Sequence, residues 1–215
     1  LRNLILAERA GNDIMAPCAA CYNTLRAADR AVRDRDGRTA SINADLAEIV
    51  GASYAAAVAV RHPLEIFSGR EMLARIRDKT VRPLDGLRLA PYYGCLLTRP
   101  KNVVAFDDPE QPTAMDRLLA ALGADVRRWS YKTDCCGGAL ALSQTDAVAA
   151  LVAKLAAEAG RAGAQAIVTA CPLCQVNLDT RQGRAVRPLP VFYFTELMGI
   201  AFGAAGPDKW LRRHI

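Results

Sequence analysis

The sequence predicts an α/β fold in which helices alternate with strands of parallel sheets. Three observations predict it. Short apolar runs, such as AIVTA at 166–170, are each followed by a helical pattern. Turn chemistry punctuates the chain, most clearly at Pro83–Gly86. A helix, Arg-Ala-Gly, strand, CxxC unit occurs twice. RAGNDIMAPCAACYNTL at 9–25 aligns with RAGAQAIVTACPLCQVNL at 161–178, the second copy having one extra residue.

Each element has its own signal. Residues 1–11 read as an amphipathic helix closed by Gly11. DIMAP at 13–17 reads as a buried strand, and Cys18 opens the next helix. Arg38–Val50 is a further helix with Ser41 and Asn43 as candidate caps. AVAVRH at 57–62 reads as a strand. Pro63 suits the first turn of a helix running to about Asp78. The main boundary falls at Pro83–Gly86, dividing 1–85 from 86–215. LRLAPYYG at 87–94 is a strand that delivers Cys95. Leu97–Gln111 reads as loop, Thr113–Leu122 as a helix capped by Gly123, and ADVRRWS at 124–130 as a strand. Asp146–Gly160 is amphipathic and helical, and Cys171 opens a helix after 166–170. VFYF at 191–194 is the last strand, followed by helices at Thr195–Gly203 and Pro207–His214.

The composition bounds the function. Just over half of the 215 residues are hydrophobic (52%), enough for a substantial core. The longest apolar run, Ile49–Val60, falls short of the roughly 20 residues of a membrane span. The N-terminal helix pattern carries Arg and Glu and is no signal peptide. A cytoplasmic protein is expected. The net charge of +6 has no nucleic-acid motif or aromatic-basic interleaving beside it, so a nucleic-acid partner is not expected. Seven cysteines cannot all pair, which favours reduced thiols.

Five of those cysteines form the pattern C–x39–CC–x34–CxxC: Cys95, Cys135, Cys136, Cys171 and Cys174. Each group follows a predicted strand. In a parallel sheet, strand C-termini share one edge, where ligand sites form. Cys171 and Cys174 face one side of a helix's first turn, whose dipole favours thiolate. Gly137–Gly138, and Gly94 before Cys95, allow close backbone approach to a bulky inorganic core. A structural zinc uses four ligands and leaves one thiol over. Clustered soft thiolates otherwise select iron–sulfur clusters, and a fifth cysteine suggests a bridging sulfur in an opened cluster. Zinc and a metal-free dithiol remain as alternatives.

The segments YYGCLLTRP, YKTDCCGGAL, VTACPLCQVNLDTRQ and LPVFYFTELMGIAFG closely resemble the heterodisulfide reductase family, in its B-type polypeptide with the cysteine-rich CCG repeat. GNDIMAPCAACYNTL resembles the end of a first such repeat, so the resemblance spans essentially the whole chain. It implies two pseudo-symmetric Rossmann-like CCG repeats with parallel sheets, the first one truncated. The offset of 153 between Cys18 and Cys171 places the first repeat's remaining cysteines before residue 1. The chain also lacks an initiator Met, and an N-terminally shortened protein is expected.

The resemblance further implies a noncubane [4Fe–4S] cluster held by Cys95, Cys135, Cys136, Cys171 and Cys174. Cys18 and Cys21 would serve a second cluster if the missing segment exists. In the family a disulfide is proposed to be cleaved between the two clusters, or formed in reverse, one electron at a time. That would need the missing segment, because Cys18 and Cys21 alone cannot complete the first cluster. The implied partners are a subunit with cubane iron–sulfur clusters (C-like) and a flavin and iron–sulfur subunit (A-like). A second reading is an electron-transfer subunit serving quinone in glycolate, lactate, glycerol-3-phosphate or succinate enzymes. A zinc-stabilised scaffold is the reading outside enzymology.

Several residues stand outside that pattern. Arg99 and Lys132 lie close in sequence to the cysteines and are candidates to hold an anionic substrate. His62 and His214 are expected at the surface or as caps. Phe192, Tyr193 and Phe194 are expected in the core. Asn23 and Asn177, after the two CxxC motifs, are candidates to hydrogen-bond the cysteine loops.

Overall fold

The computed structural model describes residues 1–34, 38–184, 187–212 and 214. In chain order the elements are α1 (Arg2–Arg9), β1 (Ile14–Met15), α2 (Ala19–Arg33), α3 (Arg38–Val50), β2 (Val60–Arg61), α4 (Pro63–Phe67) and α5 (Arg70–Lys79). There follow β3 (Arg88–Tyr92), α6 (Lys101–Val104), α7 (Ala114–Ala121), β4 (Asp125–Val126), α8 (Thr145–Arg161), β5 (Ala166–Thr169), α9 (Pro172–Thr180), β6 (Val191–Tyr193), α10 (Phe194–Ala201) and α11 (Asp208–Leu211). The fold is α/β, and both of its sheets are parallel throughout.

The larger sheet has the order β4-β3-β5-β6. The chain steps outward from β3 to β4, then crosses back over α8 to β5 on the other side. This reversal leaves a crevice between the carboxyl ends of β3 and β5, the place where doubly wound sheets bind ligands. β3 and β5 register Leu89 with Ala166 and Tyr92 with Thr169, so both strands end together. β5 is buried along its whole length, as expected for a strand covered by helices on both faces. The smaller sheet pairs β1 with β2, Ile14 opposite Val60.

One continuous apolar core joins the two parts of the chain. It contains Leu4, Ile5 and Tyr22 from the first and Leu118, Val168 and Phe194 from the second. Each such side chain, fully buried, contributes about 1.5–3 kcal/mol. A second cluster, around Val148, Val152 and Leu155 of α8, packs on the other face of the sheet.

The structure differs from the sequence expectation at several places. The helix expected from Pro63 to about Asp78 is broken at Ser68–Gly69, where Gly69 takes an extended conformation and starts α5. Asn43 is no cap. It lies within α3, accepting the Tyr54 amide hydrogen at 3.1 Å and donating to the Tyr54 carbonyl at 3.4 Å. Residues 97–111 are not wholly loop, since Pro100 caps the short α6. The helix expected over 207–214 is described at Asp208–Leu211, and residues 213 and 215 fall outside the described residues.

Candidate metal centre

The strand ends deliver the cysteines. After β3 the backbone amides of Tyr93 and Gly94 donate to the Lys132 carbonyl at 2.8 and 3.1 Å. The Tyr92 hydroxyl donates to the Asp134 carbonyl at 2.6 Å. These bonds fold the segment after β4 against the end of β3, which sets Cys95 beside Cys135. The Gly137 and Gly138 amides donate to the Cys135 and Cys136 sulfurs, each at 3.3 Å. Asn177 on α9 donates to the Cys136 carbonyl at 2.7 Å. Cys171 is the N-cap of α9, and its amide donates to Thr169 Oγ1 at 3.2 Å. Pro172 starts the helix at a position where no amide hydrogen is needed.

These loops bring Cys95, Cys135, Cys136, Cys171 and Cys174 to one cavity of about 90 Å³. A single water needs only about 10–15 Å³ of such space. Tyr93, Leu96 and Leu173 complete much of the apolar lining. The Cys136 and Cys174 sulfurs are 3.4 Å apart. Cys18 reaches the same region from the first CxxC, its sulfur 3.9 Å from that of Cys171. Cys21 is exposed, and neither it nor Cys18 lines the cavity.

The thiols differ in acidity. Hydrogen bonding from Cys174, supported by the amides of Cys174, Ala19 and Leu173, lowers Cys171 to about 5. The Cys174 thiol, with the Gly138 amide and Asn177, lowers Cys136 to about 7. Cys174 is correspondingly raised, because its proton serves those two sulfurs. Burial pushes Cys95 up to about 11, with the neighbouring Cys135 adding to the effect. Burial also raises Cys18. Soft metal ligands are thiolates, so Cys171 and Cys136 are closest to the ligating form, while Cys174 and Cys95 would give up protons on binding.

The donor set fits a group wider than one ion. Among the described residues, no three His, Cys, Asp or Glu side chains converge as ligands of a single metal. The backbone is cleared around the sulfurs instead. A Cβ on Gly94 would sit 3.3 Å from the Cys174 sulfur, and one on Gly138 would sit 3.3 Å from the Cys136 sulfur. Gly94 also has φ of +68°, a conformation that L side chains disfavour. Five soft donors around a cleared cavity suit an iron–sulfur core better than a tetrahedral zinc.

The remaining candidates are placed as follows. Asn177 and Asn23 both bond cysteine loops. Asn23 donates to the Leu96 carbonyl at 2.9 Å and the Arg99 carbonyl at 2.7 Å, tying α2 to the loop after Cys95. Lys132 does not line the cavity. Its ammonium is buried away from the cavity, bonded to the Pro112 carbonyl at 2.9 Å and Asp116 at 2.8 Å. Arg99 is half exposed and joins Glu110 at 2.7 Å and Thr133 Oγ1 at 3.2 Å, beside but not lining the cavity.

His62 is a cap, as expected, and is fully buried. His214 is enclosed between Glu196 at 3.1 Å and Asp179 at 3.4 Å. Phe194 is core, whereas Phe192 and Tyr193 are half-buried, Phe192 stacking edge-on against His214. Sequence reasoning missed the inward role of His62 and the reach of Tyr193, whose hydroxyl donates to the Pro17 carbonyl at 2.6 Å.

The fold and site together define a cysteine-rich α/β protein that gathers thiolates at a sheet switch point. Comparison with known proteins is consistent with that class. The cysteine-rich domain family CCG matches residues 89–179. The chain is 32% identical over 218 residues to the B polypeptide of the ferredoxin/F420H2-dependent CoB-CoM heterodisulfide reductase of Methanosarcina acetivorans, covering 97% of this chain and 71% of that protein. It is 28% identical over 218 residues to a protein of Archaeoglobus profundus described as like the B polypeptide of heterodisulfide reductase, covering 97% and 72%. It is 28% identical over 220 residues to the 8-methylmenaquinol:fumarate reductase membrane anchor subunit of Wolinella succinogenes, covering 100% and 76%. The chain belongs to the family of heterodisulfide reductase B polypeptides. Among the described residues, no helix is long and apolar enough to cross a membrane.

Proposed function

We propose that the chain is an iron–sulfur redox subunit of a heterodisulfide reductase-like complex. The observation that carries this reading is the convergence of five cysteines from three strand ends on one cleared cavity. Cys95, Cys135, Cys136, Cys171 and Cys174 would hold a noncubane [4Fe–4S] cluster. When bound, that cluster would supply single-electron redox chemistry toward a disulfide substrate.

The chain's own residues do the rest. Cys174 and the Gly138 amide steady the most acidic sulfurs. Tyr93, Leu96 and Leu173 keep water from the cavity. Arg99, beside the site, is the candidate to meet an anionic disulfide. Cys18 and Cys21 would serve a second cluster with cysteines from outside this sequence. Residues 1–85 and 86–215 would then belong to two successive repeats. The partners under this reading are a C-like subunit with cubane clusters and an A-like flavin subunit, and the setting is the cytoplasm. The likeness to the Wolinella protein favours a second reading, in which the same cluster exchanges electrons with a quinone.

The test is anaerobic purification or reconstitution with iron and sulfide analysis and paramagnetic resonance. About four iron and four sulfide per chain are expected, with loss on Cys→Ser change at any of the five ligands. A colourless protein with one tightly bound zinc overturns the proposal. Reoxidation of a viologen-reduced protein by disulfides, set against a menaquinone analogue, separates the two readings. In that assay Arg99→Ala is expected to raise KM for an anionic disulfide about tenfold with kcat kept, the scale of one charge-assisted contact.

A further inference from the structure

The two CxxC loops are held by side chains that cross between them. His62 directly follows β2 and caps α4, and β6 ends at Tyr193, which caps α10. His62 and Tyr193 thus hold corresponding places, each at the end of the strand that pairs with the strand leading into a CxxC. Both side chains reach the opposite CxxC loop, and His62 also bonds the Pro17 backbone of its own. His62 Nε2 lies 2.9 Å from the carbonyl of Ala170, the residue before Cys171. Tyr193 donates at 2.6 Å to the carbonyl of Pro17, the residue before Cys18. The two bonds run in opposite directions across the same seam.

The tautomer of His62 follows from its neighbours. The Leu64 amide donates to Nδ1 at 3.1 Å, so Nδ1 is the acceptor and Nε2 carries the hydrogen given to Ala170. The imidazole is fully buried and stacks edge-on against Tyr22, one residue beyond Cys21. At the centre of the seam the Cys18 and Cys171 sulfurs are 3.9 Å apart.

We propose that His62 and Tyr193 are reciprocal positioning residues that fix the spacing of the two CxxC loops. Each anchors the carbonyl preceding the helix-capping cysteine of the opposite loop, so each sets where that sulfur stands. For the redox consequence this rests on the proposed iron–sulfur reading. The geometric claim does not.

Cluster-free, reduced protein tests the geometry. Diamide takes two electrons and two protons from a pair of adjacent thiols and leaves a disulfide. Mass mapping then compares Cys18–Cys171 capture with Cys136–Cys174 capture in the same molecules. The second pair, 3.4 Å apart within one repeat, is the internal control. Wild type is expected to form both links. Tyr193→Phe and His62→Ala are expected to slow only the Cys18–Cys171 link, about tenfold, equivalent to about 1.4 kcal/mol. His62→Gln, which keeps an N–H donor, is expected to recover part of the loss. An unchanged ratio, or no Cys18–Cys171 link in wild type, overturns the proposal. Should His62→Ala not fold, Tyr193→Phe removes one hydroxyl and decides the matter alone. In iron-loaded protein, Tyr193→Phe is expected to shift the reduction potential at unchanged iron content. Failure to load iron counts against the proposed function and leaves the capture result standing.

Discussion

Three glycines allow the clearance of the cysteine cavity to be tested quantitatively. Gly86 has φ of +74° and open space where a Cβ would go. Gly94 has φ of +68° and would set its Cβ 3.3 Å from the Cys174 sulfur and 3.5 Å from the Tyr92 ring. Gly138 lies outside the left-handed region, but its Cβ would meet Leu173 at 3.1 Å and the Cys136 sulfur at 3.3 Å. Gly86→Ala therefore carries only the backbone cost, about 1–2 kcal/mol. Gly138→Ala carries only the contact cost, about 1 kcal/mol, because the Leu173 side chain can give way. Gly94→Ala carries both, about 2–3 kcal/mol. Urea unfolding of the cluster-free protein measures these values. For a chain of this size each kcal/mol is a shift of about 2–4 °C in Tm. Iron stoichiometry after reconstitution is the decisive reading. It is expected to fall for Gly94→Ala and Gly138→Ala and to stay at the wild-type level for Gly86→Ala. Equal iron content in all three variants would refute the idea that these glycines clear the sulfurs.

Three further outcomes are expected. Tyr92→Phe removes the partly buried bond to the Asp134 carbonyl and should cost about 1–3 kcal/mol in unfolding, because that carbonyl loses its partner. Lys132→Met should cost about 1–3 kcal/mol through Asp116 and Pro112, yet leave KM for an anionic disulfide unchanged; a raised KM would restore it as a substrate contact. Burial depresses His62 from 6.5 to about 4, so the folded state keeps it neutral while the unfolded chain takes up a proton. Its contribution, at most about 3 kcal/mol, is fully present above pH 6.5 and lost as pH falls towards 4. His62→Gln should flatten that part of the stability curve, measured by urea unfolding from pH 4 to 7.5. A curve with the wild-type slope between those limits counts against a buried neutral imidazole.

The cysteine site was legible because its signals are local. Cys171 follows a four-residue apolar strand and precedes Pro172, so strand, cap and helix start are all written within a few residues. Asn177 follows for the same reason, since it lies on the first turns of the helix that Cys171 opens. Elements that exist through pairing were harder to bound. β1, β2 and β4 are only two residues each, and their expected runs were five to seven residues. Parallel ladders, not propensity, decide where such strands end. The long helix expected after Pro63 divides because Gly69 disfavours the helix interior, although the surrounding periodicity continues.

Proximity in sequence misled where the side chain turns away from its neighbours. Lys132 is three residues from Cys135, yet its backbone carbonyl faces the end of β3 while its ammonium reaches α7. His62 shows the converse. Pro63 correctly marks a helix start, and the histidine beside it reads as a cap or a surface group. Its burial depends on Ala170, 108 residues away, which no local pattern encodes. Tyr193 likewise reaches Pro17 across 176 residues. Periodicity and spacing thus reveal what each CxxC loop carries. The distance between the loops is set by side chains whose partners become neighbours only after the sheets have formed.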